Sequence, residues 1–361
     1  MAENVRLYAG TQHGLVVWRQ RSGGWEQVGH EFKDGCFDTI TGCRQRPERV
    51  YAAVAWDGLY RTDDGGATWK RLLEGEVRAI TVDPSNENVV YAGTEPVHLY
   101  RSEDGGDSWE ELTGLQNVPE EVRKNWWTPY PPATGHVRYV YVHDSDPNFL
   151  GVCLEHGGVL RSFDRGASWE DVSQGIDYLD MHMFKALPGK KDRFYASSAR
   201  GFFTSDDPGK GWVRAENGIT RNYSHDFMFL PPTPESQQPT MLIATADGSP
   251  GFWRREERAA DSAIFRSFDT GQSWQRVVEG LPDQMDHMVW ALAEHPTDHN
   301  AVFAGIGPVN RGQTVDTSTD VSPSLADGPG SIYLSRDRGE SWERQKLELP
   351  ADRVLWAAAD A

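Results

Sequence analysis

The sequence predicts an all-β chain, a seven-bladed β-propeller with four-stranded antiparallel blades, and three observations predict it. A turn pattern, Ser/Thr-x-Asp-x-Gly-x-Ser/Thr-Trp, recurs six times. Each copy ends three alternating apolar runs and is followed by a short fourth, as in 77–84, 88–94, 99–102 and 109–112. The units recur about every 40 residues, the length of one four-stranded blade.

The first unit, 5–28, holds a second, third and fourth strand, with Trp25 in the usual place but no Asp. Its missing first strand is predicted in the last apolar run, Arg353–Ala357. Pairing that run into the N-terminal blade closes the ring and removes its open edges. Units two to four carry Thr62-Asp64-Gly66-Thr68-Trp69, Ser102-Asp104-Gly106-Ser108-Trp109 and Ser162-Asp164-Gly166-Ser168-Trp169. Unit five has a degraded copy, Ser205-Asp207-Gly209-Gly211-Trp212. Units six and seven carry Ser267-Asp269-Gly271-Ser273-Trp274 and Ser335-Asp337-Gly339-Ser341-Trp342. One domain over 1–361 follows, because radial repeats bury surface against their neighbours rather than in one growing core. The longest departures from the repeat are 113–135, between blades three and four, and 247–262 and 307–330, between second and third strands.

These repeats resemble the BNR or Asp-box family, which includes sialidases, xyloglucanases, sortilin-type receptors and photosystem assembly factors. The resemblance covers essentially the whole chain and implies that the Asp turns lie away from a catalytic face. The arginine cluster and Phe/Tyr-Arg-Ile-Pro motif of sialidases are not evident. A receptor-like cysteine module is missing too.

A structural role is expected for Asp64, Asp104, Asp164, Asp207, Asp269 and Asp337. The carboxylate can accept bonds from turn N–H groups, Gly supplies positive φ, and Trp buries its ring between blades. Every blade needs such a staple, whereas an active site is needed once.

The other face is expected to carry function, because the insertions and the turns between second and third strands all emerge there. Aligning first strands places His136, His182, His225 and His287 near the start of that strand in blades four to seven. Cys36, Asp38 and Glu76 hold comparable positions in blades two and three. Four imidazoles near one axis suit a transition metal: zinc, copper, iron or manganese. Asp180, Asp226 and Glu155 are the candidate catalytic groups, and they or Asp286 could also serve as ligands or orienting partners. The bland alternative is polar lining of a water-filled channel.

His13, His98 and His156 sit in turns between second and third strands and are candidate substrate contacts. Trp126, Trp127, Tyr130 and Trp253 could stack on a substrate, and Arg254, Arg255 or Arg258 could pair an anionic group. The expected function is a metal-dependent enzyme acting on a small polar or carbohydrate-like molecule. Two alternatives stay open: a glycoside hydrolase without metal, using two opposed carboxylates, and a non-catalytic binding or assembly scaffold.

The formal net charge of −18 disfavours nucleic acid and anionic membrane partners, which need a positive field. The three cysteines, Cys36, Cys43 and Cys153, make no disulfide framework and fit a reducing compartment. The start of the chain lacks a basic n-region and an apolar h-region, and no run is long enough to span a bilayer. A cytoplasmic monomer is the expectation.

Overall fold

A computed structural model describes residues 5–11, 13–33, 35–129, 133–234, 237–250, 253, 259–308 and 330–349, and the backbone of 356–360. Seven four-stranded antiparallel sheets are present. Six run through the chain in order, with inner strands Phe37–Gly42, Glu76–Asp83, Val137–His143, Met181–Ala186, Tyr223–Leu230 and Met288–Glu294. In the seventh, Trp356–Asp360 pairs antiparallel with Arg6–Thr11, Gly10 opposite Trp356 and Arg6 opposite Asp360. The C-terminal strand thus closes the ring, three residues further along than the sequence places it. Arg353, Val354 and Leu355 lie outside the described residues.

The predicted staple is visible atom by atom. In blade four the Asp164 carboxylate accepts the Ser168 N–H at 2.8 Å, the Ser168 hydroxyl at 2.6 Å and the Ser162 hydroxyl at 2.8 Å. Ser162 Oγ in turn accepts the Gly166 N–H at 2.8 Å, and Gly166 sits at φ 89°, where a side chain would be strained. The same bonds form around Asp64, Asp104, Asp269 and Asp337. Blade five differs for a chemical reason: Gly211 offers no hydroxyl, and Asp207 takes the Gly209 N–H at 3.0 Å and Arg161 at 2.9 Å instead.

Backbone bonds from Gly65, Gly105, Arg165 and Arg338 to Glu48, Asn88, Asn148 and Asn300 tie four of the Asp turns to the turn between inner and second strands. The Asp turns therefore share that face, and the turns between second and third strands emerge on the opposite one. Blades meet through apolar side chains, as where Leu242, Ala244 and Ile264 of blade six meet Val289, Leu292 and Val302 of blade seven. Burying each such side chain contributes about 1.5–3 kcal/mol. Glycine permits the closest approach. A Cβ at Gly93 would lie 2.4 Å from Val137, and one at Gly151 would lie 2.3 Å from the Phe184 ring of the next blade. Among the described residues no helix is long and apolar enough to cross a membrane.

Candidate functional site at the axial mouth

Each of six inner strands breaks register with its partner near its start. The breaks fall between Phe37 and Thr39, Val77 and Ala79, Val137 and Tyr139, Met181 and Met183, Ser224 and Phe227, and Val289 and Ala291. A β-bulge of this kind inserts an extra residue and re-aims its side chain. The extra residues are Asp38, Arg78, Arg138, His182, His225 with Asp226, and Trp290. One irregularity repeated around the axis thus supplies a ring of chemically capable side chains.

The bulges also correct the sequence alignment. Backbone carbonyls of Cys36, His136 and Asp180 accept the N–H groups of Ala55, Glu155 and Ala199, and Glu76 faces Glu95. His136 is therefore the counterpart of Asp180, not of His182. The register-equivalents of His182 are Asp38, Arg78 and Arg138.

One half of the mouth is built around Arg78, which sequence reasoning missed. It donates to Glu95 at 2.7 and 3.0 Å and to Asp38 at 2.8 Å, with Glu76 at 3.2 Å. All four side chains are buried. Burial and the nearby Asp38 charge push the Glu76 carboxyl up to about 8. Burial also raises Glu95, against the pull of Arg78. Trp56 roofs this half: Glu76 accepts its N–H, its ring lies 5.4 Å from the Arg78 guanidinium, and it is 51% exposed.

The other half straddles blades four and five. Ligating atoms of Glu155, His156 and Asp180 lie within 4.8 Å of one another. Asp180 Oδ2 is 3.8 Å from His156 Nε2, and its Oδ1 is 3.7 Å from His182 Nε2. His136 connects the halves, with Nδ1 3.5 Å from Glu95 and Nε2 3.4 Å from Glu155. Burial and the Glu155 charge drive the Asp180 carboxyl well above its ordinary range. Burial holds His136 and His156 below the usual imidazole value and takes His182 down to about 3. These rings are neutral at physiological pH, the state in which imidazole ligates metals. Trp127 stacks on His156 at 4.4 Å and is 46% exposed. Trp56 and His156 occupy the same turn position, and both have left-handed backbones, φ 63° and 49°.

Of the four histidines expected to share one metal, His182 and His225 are neighbours, their ring centroids 5.0 Å apart. Arg138 donates to His225 Nε2 at 3.0 Å, so that lone pair already faces a cation. His136 lies on the far side of Glu155. His287 is half-buried and belongs to no ligand group among the described residues. A shared four-histidine sphere is thus not what the rings form, because the bulges put them on different levels. His156, expected to contact substrate, lies inside the ligand group instead.

Other placements also depart from expectation. Asp226 accepts the Leu292 N–H at 2.8 Å, is fully buried and is pushed up to about 6 by that burial, so it staples blades six and seven. Trp253 is fully buried against Tyr223 and Trp290, its indole donating to the Asp247 carbonyl, and cannot stack on a substrate. His98 turns outward to Glu111 on its own blade's outer strand, at 2.7 Å. His13 is exposed beside the outer strand of the first blade, its carbonyl receiving His30. Asp286 is exposed and receives Gln284. Trp126 is half-buried in the core of blades three and four. Tyr130, Arg254, Arg255 and Arg258 lie outside the described residues.

The chain shares 23% identity over 231 residues, 62% of its length, with the oligoxyloglucan-reducing end-specific xyloglucanase of Emericella nidulans. It spans only 25% of that protein. No family model matches the chain. Among solved structures it is similar to the GH74 enzyme of Niastella koreensis (TM-score 0.63, 15% identity, 86% of this chain and 45% of that one). The GH74 xyloglucanase of Xanthomonas campestris is similar too (TM-score 0.59, 15% identity, 86% and 45%). YCF48 of Cyanidioschyzon merolae is matched over 91% of both chains, with TM-score 0.54 and 15% identity. These likenesses establish the propeller fold.

Proposed function

We propose that the chain is a metal-dependent enzyme of hydrolytic type, and that its axial mouth holds a small polar or carbohydrate-like molecule. The observation that carries this reading is the convergence of Glu155, His156 and Asp180 beneath the exposed Trp127 ring. A bound metal would supply an activated water near neutral pH. Trp127 offers a flat apolar face to a sugar-like ring. The Arg138 charge pulls against the rise of the Asp180 carboxyl without cancelling it. The likeness to two GH74 enzymes and a xyloglucanase supports a carbohydrate as the substrate class.

A second reading, glycoside hydrolysis without metal, is favoured by one observation. A carboxyl whose proton affinity is raised by burial and a neighbouring carboxylate is the pairing that such chemistry uses, and Asp180 beside Glu155 is shifted in that direction. The test is turnover of aryl glycosides and end-labelled oligosaccharides by wild type, Asp180→Asn and Glu155→Gln, with and without chelator. Turnover that falls at least about 100-fold in both variants is expected. Chelator-sensitive turnover supports the metal-dependent reading, and chelator-insensitive turnover transfers the chemistry to the carboxylate pair. Absence of turnover across the panel, or unchanged rates in both variants, overturns the hydrolytic reading in favour of a binding platform.

A further inference from the structure

We propose that Glu155, His156, Asp180 and His182 together ligate one divalent ion of the zinc–manganese–iron(II) class between blades four and five. This rests on the reading of the axial mouth as the reacting centre, and names the ion and its ligands there.

The argument begins with a tautomer. His182 Nδ1 lies 2.7 Å from the Ser224 carbonyl, which can only accept, so Nδ1 carries the proton. The lone pair is then on Nε2, and that nitrogen faces Asp180. A backbone carbonyl fixing the ring of a ligating imidazole from behind is the usual outer support of a metal site. Rings of Tyr223 and His225, with centroids 4.8 and 5.0 Å away, hold the plane from the sides.

The separations point the same way. Asp180 turns one oxygen to each imidazole, at 3.7 and 3.8 Å. Both are too long for hydrogen bonds. Two ligands about 2.1 Å from one tetrahedral ion stand about 3.4 Å apart. Glu155, His156 and Asp180 already have ligand atoms within 4.8 Å of one another, and His182, outside that group but 3.7 Å from Asp180, must swing toward it to complete the sphere. Asp180 Oδ1 is moreover buried and accepts no hydrogen bond. A buried carboxylate oxygen in that state requires a cation or a proton. The pairs formed by these two carboxylates are with imidazoles, His156 and His182 for Asp180 and His136 for Glu155. A divalent ion cancels the two carboxylate charges.

The donor set selects the ion. Two imidazoles and two carboxylates suit Zn²⁺, Mn²⁺ or Fe²⁺, and no thiolate joins them to favour copper(I): Cys153 is fully buried and outside the ligand group. His136, 3.4 Å from Glu155, orients that carboxylate from outside.

The test uses the full chain purified without a histidine tag, stripped with chelator and titrated separately with Co²⁺ and Zn²⁺. One equivalent of saturable binding is expected, with a visible Co²⁺ spectrum showing nitrogen and oxygen ligation. His182→Ala and Asp180→Asn should each weaken binding at least about tenfold, and His287→Ala should not. Zn²⁺ should also raise the melting temperature of wild type, which needs no variant to fold. No saturable binding, or wild-type affinity in both ligand variants, overturns the proposal. Metal bound without turnover leaves this site standing and removes the hydrolase; turnover with no saturable metal binding removes this site and leaves hydrolysis to the carboxylate pair.

Discussion

Asp164→Ala and Asp207→Ala should cost different amounts of stability although both residues occupy the same turn of neighbouring blades. Asp164 accepts three bonds within its own hairpin, from the Ser168 N–H, the Ser168 hydroxyl and the Ser162 hydroxyl. Each net hydrogen bond contributes about 0.5–1.5 kcal/mol, and the truncation leaves the Ser168 N–H to water. Summed, and discounted for an exposed carboxylate, Asp164→Ala should cost about 2 kcal/mol. Asp207 holds one turn N–H and a partly exposed pair with Arg161, so its truncation should cost about 1 kcal/mol. Urea unfolding followed by tryptophan fluorescence reads the difference as a larger midpoint shift for Asp164→Ala at constant m-value. Neither change should alter metal stoichiometry, since these turns lie on the opposite face. Equal shifts would refute the hydrogen-bond account, and loss of metal from Asp164→Ala would refute the assignment of faces.

Gly151→Ala drives a methyl into the Phe184 ring and should destabilise by about 1–3 kcal/mol, read by the same unfolding. Trp127→Ala should weaken substrate binding about 2- to 12-fold by removing a stacking face worth about 0.5–1.5 kcal/mol, while ion stoichiometry stays at one; calorimetry measures both. The Glu76 carboxyl, raised to about 8 in the folded state, titrates near 4.3 when unfolded. Its protonated form is the one the fold favours. That contribution is full below about pH 4 and is lost as pH rises through 8, so wild-type stability should fall over this window more steeply than that of Glu76→Gln. Asp64 has the opposite sign. Hydrogen bonds from Thr68 hold it at about 2, so its contribution is present above about pH 4 and fades as pH falls toward 2. Asp64→Asn should flatten the acid limb of the stability curve.

The architecture was legible in the sequence because each blade repeats one chemical staple. A carboxylate two residues after a hydroxyl and a glycine two beyond it specify a hairpin wherever they recur. Trp25 without an Asp, and an unpaired apolar run at the C-terminus, sufficed to locate the closing blade. The site was legible only in its neighbourhood. Period-two alternation assigns faces correctly until a strand gains a residue, and a bulge then moves the next side chain to the other face. His136 and His182 looked equivalent for that reason, whereas Arg78 and Arg138 read as ordinary strand residues. Glu95 had a signal that was missed: it stands two residues after Gly93, as Glu155 stands two after Cys153, in turns of matching register. Trp253 looked like a loop aromatic, and only tertiary packing shows that the insertion folds it inward.

Anomalous diffraction from crystals of the full chain, grown in Zn²⁺ or Mn²⁺ and recorded at the metal edge, tests the central claim most directly. One strong peak between Asp180, His156 and His182, with Glu155 completing the sphere, is the predicted result. A peak shared by His225 and His287, or none at the axis with the metal scattered over surface carboxylates, would contradict it.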